Sequence, residues 1–178
     1  MNVAETKLRG CFIIEPNVFK DDRGYFFESF NQQTFEKAIS QKVNFVQDNQ
    51  SFSNYGVLRG LHFQKGEHAQ AKLVRVLQGS VWDVAVDLRS ESLTYGQYIG
   101  VELSAENNKQ LFIPRGFAHG FVVLSKKAEF FYKCDNYYNK ESESGIIFND
   151  ETLNIDWKLP LIDLIISEKD SILPLFKR

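Results

Sequence analysis

Two histidines sit inside the most distinctive strings of this chain. His62 falls in Gly56-Val57-Leu58-Arg59-Gly60-Leu61-His62-Phe63-Gln64, and His119 in Ile113-Pro114-Arg115-Gly116-Phe117-Ala118-His119-Gly120-Phe121. Imidazole changes charge near neutral pH, so it serves in proton transfer and as a metal ligand. A catalytic divalent metal needs about three or four nitrogen, sulfur or carboxylate ligands at one point. The chain has only 3 histidines. The third, His68, shares with Glu67 a short glycine-containing turn that gives neither a reason to face inward. Gln64, the next same-face neighbour of His62, is a neutral amide and a poor ligand. These residues favour proton transfer at His62, with a metal-dependent site as the alternative.

Such side chains need elements to aim them, and the pattern is mostly one of strands. Lys72 to Leu77 alternates, Gln78-Gly79-Ser80 offers a turn, and Val81 to Leu88 resumes the alternation. Tyr98 to Leu103, Lys109 to Ile113, Gly120 to Leu124 and Ala128 to Tyr132 repeat it at short intervals, which predicts an antiparallel sandwich or barrel. A short helix is expected from Gln32 to Ser40, where Phe35 and Ile39 share a face. Asp163 to Lys169 suits a helix and a strand about equally. Strand side chains alternate faces, so Lys72 goes with Val74 and Val76, which makes it an inward-pointing lysine. Tyr132 goes with Phe130. Ionisable groups thus converge on a barrel interior, where desolvation shifts their pKa values.

Composition narrows the function classes. At 178 residues, with 43% hydrophobic and 25% charged residues, residues 1–178 read as one globular domain without repeats or linkers. A net charge of −2 gives no footprint for nucleic acid, yet a few clustered Arg and Lys still make a pocket for a small anion. No apolar run reaches membrane-span length, so no membrane partner is expected. Cys11 and Cys134 lack metal-type spacing and read as two unreactive thiols in a reducing cytoplasm. The 16 Phe and 7 Tyr are mostly core, with a surplus for an aromatic pocket or a subunit interface.

Pro114 to His119 fits the second motif of the cupins and resembles that jelly-roll superfamily. The first cupin motif normally supplies a His-x-His pair where this chain reads His62-Phe63-Gln64, so the metal ligands look largely lost. The longer strings resemble the dTDP-4-dehydrorhamnose 3,5-epimerase family. They are Asp22-Arg23-Gly24-Tyr25-Phe26-Phe27-Glu28-Ser29-Phe30, Phe45-Val46-Gln47-Asp48-Asn49, the His62 string, Ala71 to Val76, Gly100 to Asn107, the His119 string, Phe131-Tyr132-Lys133 with Tyr137-Tyr138, Asn149-Asp150, Ile155-Asp156-Trp157 and Ser167-Glu168-Lys169-Asp170. Two positions depart from the pattern: Ala71 stands where glycine is usual, and Arg115 where an acidic residue is common.

The resemblance implies an all-β antiparallel jelly-roll barrel with a few short helices. It usually forms a homodimer, takes a dTDP-linked 4-keto-6-deoxyhexose and needs no cofactor or metal. In it His62 matches the base, Asp170 its carboxylate partner, Lys72 the cation beside the keto oxygen, and Tyr132 the acid on the opposite face, with Tyr138 as rival. Arg59 and Arg23 match diphosphate contacts, Arg23 across the dimer. Phe26, Glu28, Gln47, Asn49, His119, Glu143 and Lys169 match further sugar-nucleotide contacts.

Each residue also has an ordinary reading. His119 can bond backbone, Lys72 can snorkel from a sheet edge, Tyr132 can be core with its hydroxyl at the surface, and Arg23, Glu28 and Lys169 can belong to a solvated face. The rival functions are a single-site epimerase or 3,4-ketoisomerase, a metal-dependent cupin enzyme, and a silent nucleotide-sugar-binding barrel.

Overall fold

A computed structural model describes residues 1–177. In chain order the strands are β1 (Asn2–Glu5), β2 (Phe12–Glu15), β3 (Phe19–Asp21), β4 (Gly24–Phe26), β5 (Gln47–Asn54), β6 (Val57–Gln64) and β7 (Lys72–Gln78). They continue as β8 (Ser80–Asp87), β9 (Tyr98–Ser104), β10 (Gln110–Ile113), β11 (Phe117–Val123), β12 (Lys127–Cys134), β13 (Glu143–Gly145) and β14 (Ile165–Ile166). Helix α1 spans Gln32–Ile39 and α2 spans Glu168–Ser171. One sheet runs β1-β2-β10-β7-β12-β5; the other runs β13-β6-β11-β8-β9, with β14 alongside β6. Every pairing is antiparallel except β14 on β6. β3 and β4 form a separate hairpin. This is the jelly-roll architecture the sequence predicts.

Alternation along the strands builds three cores. Inward residues Val74, Val76, Val81, Ala85, Phe117, Phe121, Val123, Ala128 and Phe130 fill the space between the sheets. Their sequence partners face outward. On the outward side of β7 Leu73, with Ala71 just before the strand, packs with Phe35, Ile39 and Val43 of the α1 segment. On β8 and β11 it is Val84, Val86, Ala118 and Val122, covered by Ile146, Leu153 and Trp157. Strands buried on both faces read as near-continuous apolar runs, so the period-two signal is weakest where the core is deepest.

Several boundaries differ from the sequence reading. Ser40 is the left-handed cap of α1 rather than its last turn, and Asn31 caps the other end by accepting the Thr34 N–H at 3.1 Å. Strand β11 starts at Phe117, not Gly120, because the Pro114-to-Gly116 turn ends with Gly116 at φ +84° and the chain extends at once. The 163–169 stretch is neither one helix nor one strand. A 3₁₀ turn ends at Asp163, β14 follows, and Ser167 stops the strand by capping α2. Edge strand β5 had no apolar alternation to announce it.

Gly60 and Gly120 set the distance between β6 and β11. A Cβ on Gly60, which has φ +129°, would lie 2.6 Å from Gly120 Cα, and one on Gly120 would lie 2.7 Å from the Arg59 carbonyl. Only glycine lets the two backbones come this close. The register shifts beside this contact, and His62 and His119 emerge as direct cross-strand partners.

Candidate active site

The sheets enclose a cavity of about 410 Å³ lined by Asn49, Arg59, His62, Lys72, His119, Tyr132, Lys169 and Asp170, with Gln50, Ser51, Phe121, Phe130 and Ser167. His62 is on β6 and His119 on β11, while Lys72 is on β7 and Tyr132 on β12. The imidazoles therefore belong to one sheet, and the lysine and tyrosine to the sheet facing it.

Asp170 governs His62. Its Oδ1 lies 2.8 Å from His62 Nε2, and its Oδ2 accepts the Gly60 N–H at 3.1 Å. The side chain is nearly buried, at 5% exposure, whereas that of His62 is 29% exposed. Position 170 reaches β6 because β14 pairs with it and Ser167 Oγ then accepts the Asp170 N–H at 3.1 Å, turning the chain into α2. An ionised carboxylate only accepts hydrogen bonds. The proton of a neutral His62 thus resides on Nε2, leaving the Nδ1 lone pair free to act as a base.

His119 has a carboxylate of its own. Asp83, wholly buried on β8, places Oδ2 2.9 Å and Oδ1 3.1 Å from His119 Nε2. Burial pushes the imidazole below its ordinary value and outweighs the pull of Asp83, so His119 is neutral near pH 7. Its ring stacks beside Phe130 at 6.0 Å. Asp83 was missed in the sequence, although it shares parity with inward Val81 and Ala85, and an acid at an inward strand position is itself a signal. The two histidines thus hold separate carboxylates. Gln64 is committed elsewhere, bonding the His68 and Tyr137 carbonyls and the Asn139 N–H. Glu67 and His68 stand in an outward turn, as expected.

Lys72 is half-buried, and burial pulls its pKa down. Its Nζ lies 5.7 Å from the Tyr132 ring, and it makes no salt bridge among the described residues. Such a cation is stabilised when negative charge forms beside it. Burial pushes the Tyr132 phenol up to about 12, with Arg59 only partly opposing it. Desolvation wins over the nearby cation, and the phenol stays protonated.

The mouth is a chain of polar contacts. Gln47 Nε2 donates to Asn49 Oδ1 at 3.1 Å, and Gln47 Oε1 accepts the Tyr138 N–H at 3.0 Å. Tyr138 Oη donates to Glu143 Oε2 at 2.9 Å, and Lys169 Nζ meets the same oxygen at 2.8 Å. Burial raises the Glu143 pKa, but those two partners outweigh it and hold the carboxyl below its ordinary value. Among the described residues Arg59 bonds Ser53 Oγ and the Phe52 carbonyl and pairs with no carboxylate.

Three predicted site residues stand apart. Arg23 is on the exposed β3–β4 hairpin, tied to Asp21. Phe26, 71% exposed, and Glu28 line another recess, of about 300 Å³, against Phe35, Leu73 and Gln110. Within one chain these residues do not join His62.

A jelly-roll barrel with a carboxylate-held imidazole facing a lysine and a protonated tyrosine defines an enzyme built for proton transfer. The family model for dTDP-4-dehydrorhamnose 3,5-epimerase matches residues 5–178. The Salmonella typhimurium dTDP-4-dehydrorhamnose 3,5-epimerase is 58% identical over 175 residues, covering 98% of this chain and 95% of that protein. Among solved structures, the Elizabethkingia anophelis epimerase is 61% identical, with TM-score 0.96 over 99% of this chain and 96% of that one. The Legionella pneumophila RmlC in complex with dTDP-4-keto-L-rhamnose is 49% identical, with TM-score 0.94 over 98% and 92%. This chain belongs to the dTDP-4-dehydrorhamnose 3,5-epimerase family and is an isomerase.

Proposed function

We propose that this chain inverts C3 and C5 of dTDP-4-dehydro-6-deoxy-D-glucose, giving dTDP-4-dehydro-L-rhamnose without a cofactor. The carbon acids flank a ketone, so removing either proton leaves an enolate whose charge rests on the C4 oxygen. Inversion requires a base on one face, an acid on the other and a cation at that oxygen. His62 Nδ1 takes the proton, and the imidazolium that forms is held by Asp170. Lys72 stabilises the enolate oxygen. Tyr132 returns a proton from the opposite sheet and is restored from solvent or from His62. The observation that carries this reading is the placement of His62 and Tyr132 on facing walls of one cavity.

Arg59 and Lys169 supply positive charge for the diphosphate, with Asn49, Gln47, His119, Tyr138 and Glu143 as further contacts. Arg23, Phe26 and Glu28 complete the pocket in trans, in a homodimer whose β3–β4 hairpins cross between subunits. Support comes from the exposure of Phe19, Tyr25 and Phe26 on that hairpin and from its separation from His62. Residues 1–178 work as one domain, since the His62–Asp170 pair joins positions 108 apart. The cytoplasmic setting rests on Cys11 and Cys134, both free and buried, whose thiols burial pushes up to about 12 and about 11. No helix among the described residues is long and apolar enough to cross a membrane.

The test is NMR of the metal-stripped protein with the keto sugar in D2O. Deuterium at both C3 and C5, abolished by His62→Ala, is expected. Label at one carbon only selects a single-site epimerase, and activity that needs added metal overturns the proposal.

A further inference from the structure

Asp135, just outside the cavity, makes more contacts than a surface carboxylate needs. Its Oδ1 accepts the Ala71 N–H at 2.6 Å, and its own N–H donates to the Ala71 carbonyl at 3.1 Å, so it grips Ala71 from both sides. Its Oδ2 takes Arg115 Nε at 2.7 Å, and Arg115 adds a bond to the Asp135 carbonyl at 3.3 Å. The carboxylate is only 12% exposed.

The three residues come from three segments, each leading straight into a cavity wall. Ala71 precedes Lys72, Asp135 follows the strand that carries Tyr132, and Arg115 precedes the strand that carries His119. Lys72 is the end pair of both of its ladders, opposite Cys134 on β12 and Ile113 on β10. Past that pair, the Asp135 contacts hold the strand ends together. Arg115 and Ala71 are also the two positions where the sequence departs from the epimerase pattern, and the reaction chemistry uses neither. The Ala71 methyl is accounted for by burial beside Phe35, Ile39 and Val43.

We propose that Asp135, tied down by Arg115, is a positioning residue that sets the Lys72 ammonium at the enolate oxygen. The inference rests on the reading of Lys72 given above. Lys72 makes no salt bridge among the described residues that would fix its long side chain, so its placement depends on where its backbone is held. Misplacing a catalytic group by about 1 Å costs on the order of 10²-fold in rate.

Steady-state kinetics with dTDP-4-dehydro-6-deoxy-D-glucose, alongside melting temperatures, test this. Asp135→Ala is expected to lose roughly tenfold or more in kcat with KM within about twofold. Asp135→Asn keeps an acceptor for the Ala71 N–H and should recover most of that loss. Arg115→Gln, a change at a half-exposed side chain, should fall between them. Full kcat in Asp135→Ala, or no recovery in Asp135→Asn, overturns the proposal. If Asp135→Ala does not fold, unchanged kcat in Arg115→Gln overturns it instead. Lys72→Ala separates the two levels. Unimpaired activity there sinks the reading of Lys72 itself, whereas a large loss there beside an unaffected Asp135→Ala sinks only the positioning role.

Discussion

Replacing Asp170 by asparagine should disarm the base while leaving the fold intact, and the geometry says how. Gly60 N–H requires an acceptor where Asp170 Oδ2 stands, at 3.1 Å. The amide oxygen of the variant takes that position, which forces the NH2 group toward His62 Nε2, now 2.8 Å away. An NH2 group only donates, so Nε2 becomes the acceptor and the ring proton moves to Nδ1. The nitrogen that should take the substrate proton is then blocked. A wrong tautomer behind a sequestered base costs up to about 10⁴ in kcat. His62 is 29% exposed, so solvent can exchange the tautomers, and a smaller loss of about 10²–10³, or ~2.7–4 kcal/mol of barrier, is expected. The assay is initial-rate deuterium uptake at C3 and C5, with far-UV circular dichroism as a check on folding. A folded Asp170→Asn protein within about threefold of the parent rate would refute the tautomer argument.

Gly60→Ala puts a methyl 2.6 Å from Gly120 Cα at φ +129°, which should destabilise by about 3 kcal/mol; thermal melting should fall about 2–4 °C per kcal/mol. Tyr132→Phe should keep exchanging substrate protons, since His62 can remove and return them on one face, while inverted product nearly disappears by NMR. His119 has a folded pKa below the unfolded value of about 6.5. The unfolded chain therefore binds the extra proton first as pH drops. The contribution of His119 to stability is complete above pH ~6.5 and lost on acidification, with a slope of at most ~1.4 kcal/mol per pH unit. Urea midpoints from pH 7.5 to 5.5 should show a shallower acid limb for His119→Gln.

The sequence revealed most of what periodicity can encode. Parity placed Lys72 beside Val74 and Val76, and Tyr132 beside Phe130, in the interior where the structure holds them. It failed where the signal is not periodic. Edge strand β5 alternates in exposure but not in apolarity, and the 163–169 stretch changes conformation at almost every residue. The Asp83 partner of His119 was hidden because β8 is buried on both faces, so its acid looked like one polar residue in an apolar run. No local rule connects Asp170 to His62, since their contact depends on a parallel ladder between distant segments. Family resemblance supplied that pairing, and geometry explains it. Phe26 and Glu28 remain in their own recess because one chain does not bring its hairpin to its own pocket.

The imidazole is anchored in the middle of a sheet, but its carboxylate arrives on a strap fastened by the two-residue strand β14 and a helix of a single turn. Such a strap is the kind of unit that opens on its own, well before the barrel loosens. Inactivation is therefore expected to precede unfolding in this molecule. Barrels with the strap lifted would keep their sheets and lose the carboxylate that holds His62. Warming is expected to drain activity before structure, and a ligand that pins Lys169 should narrow that gap by holding the strap shut, which activity and circular-dichroism melts run side by side would show.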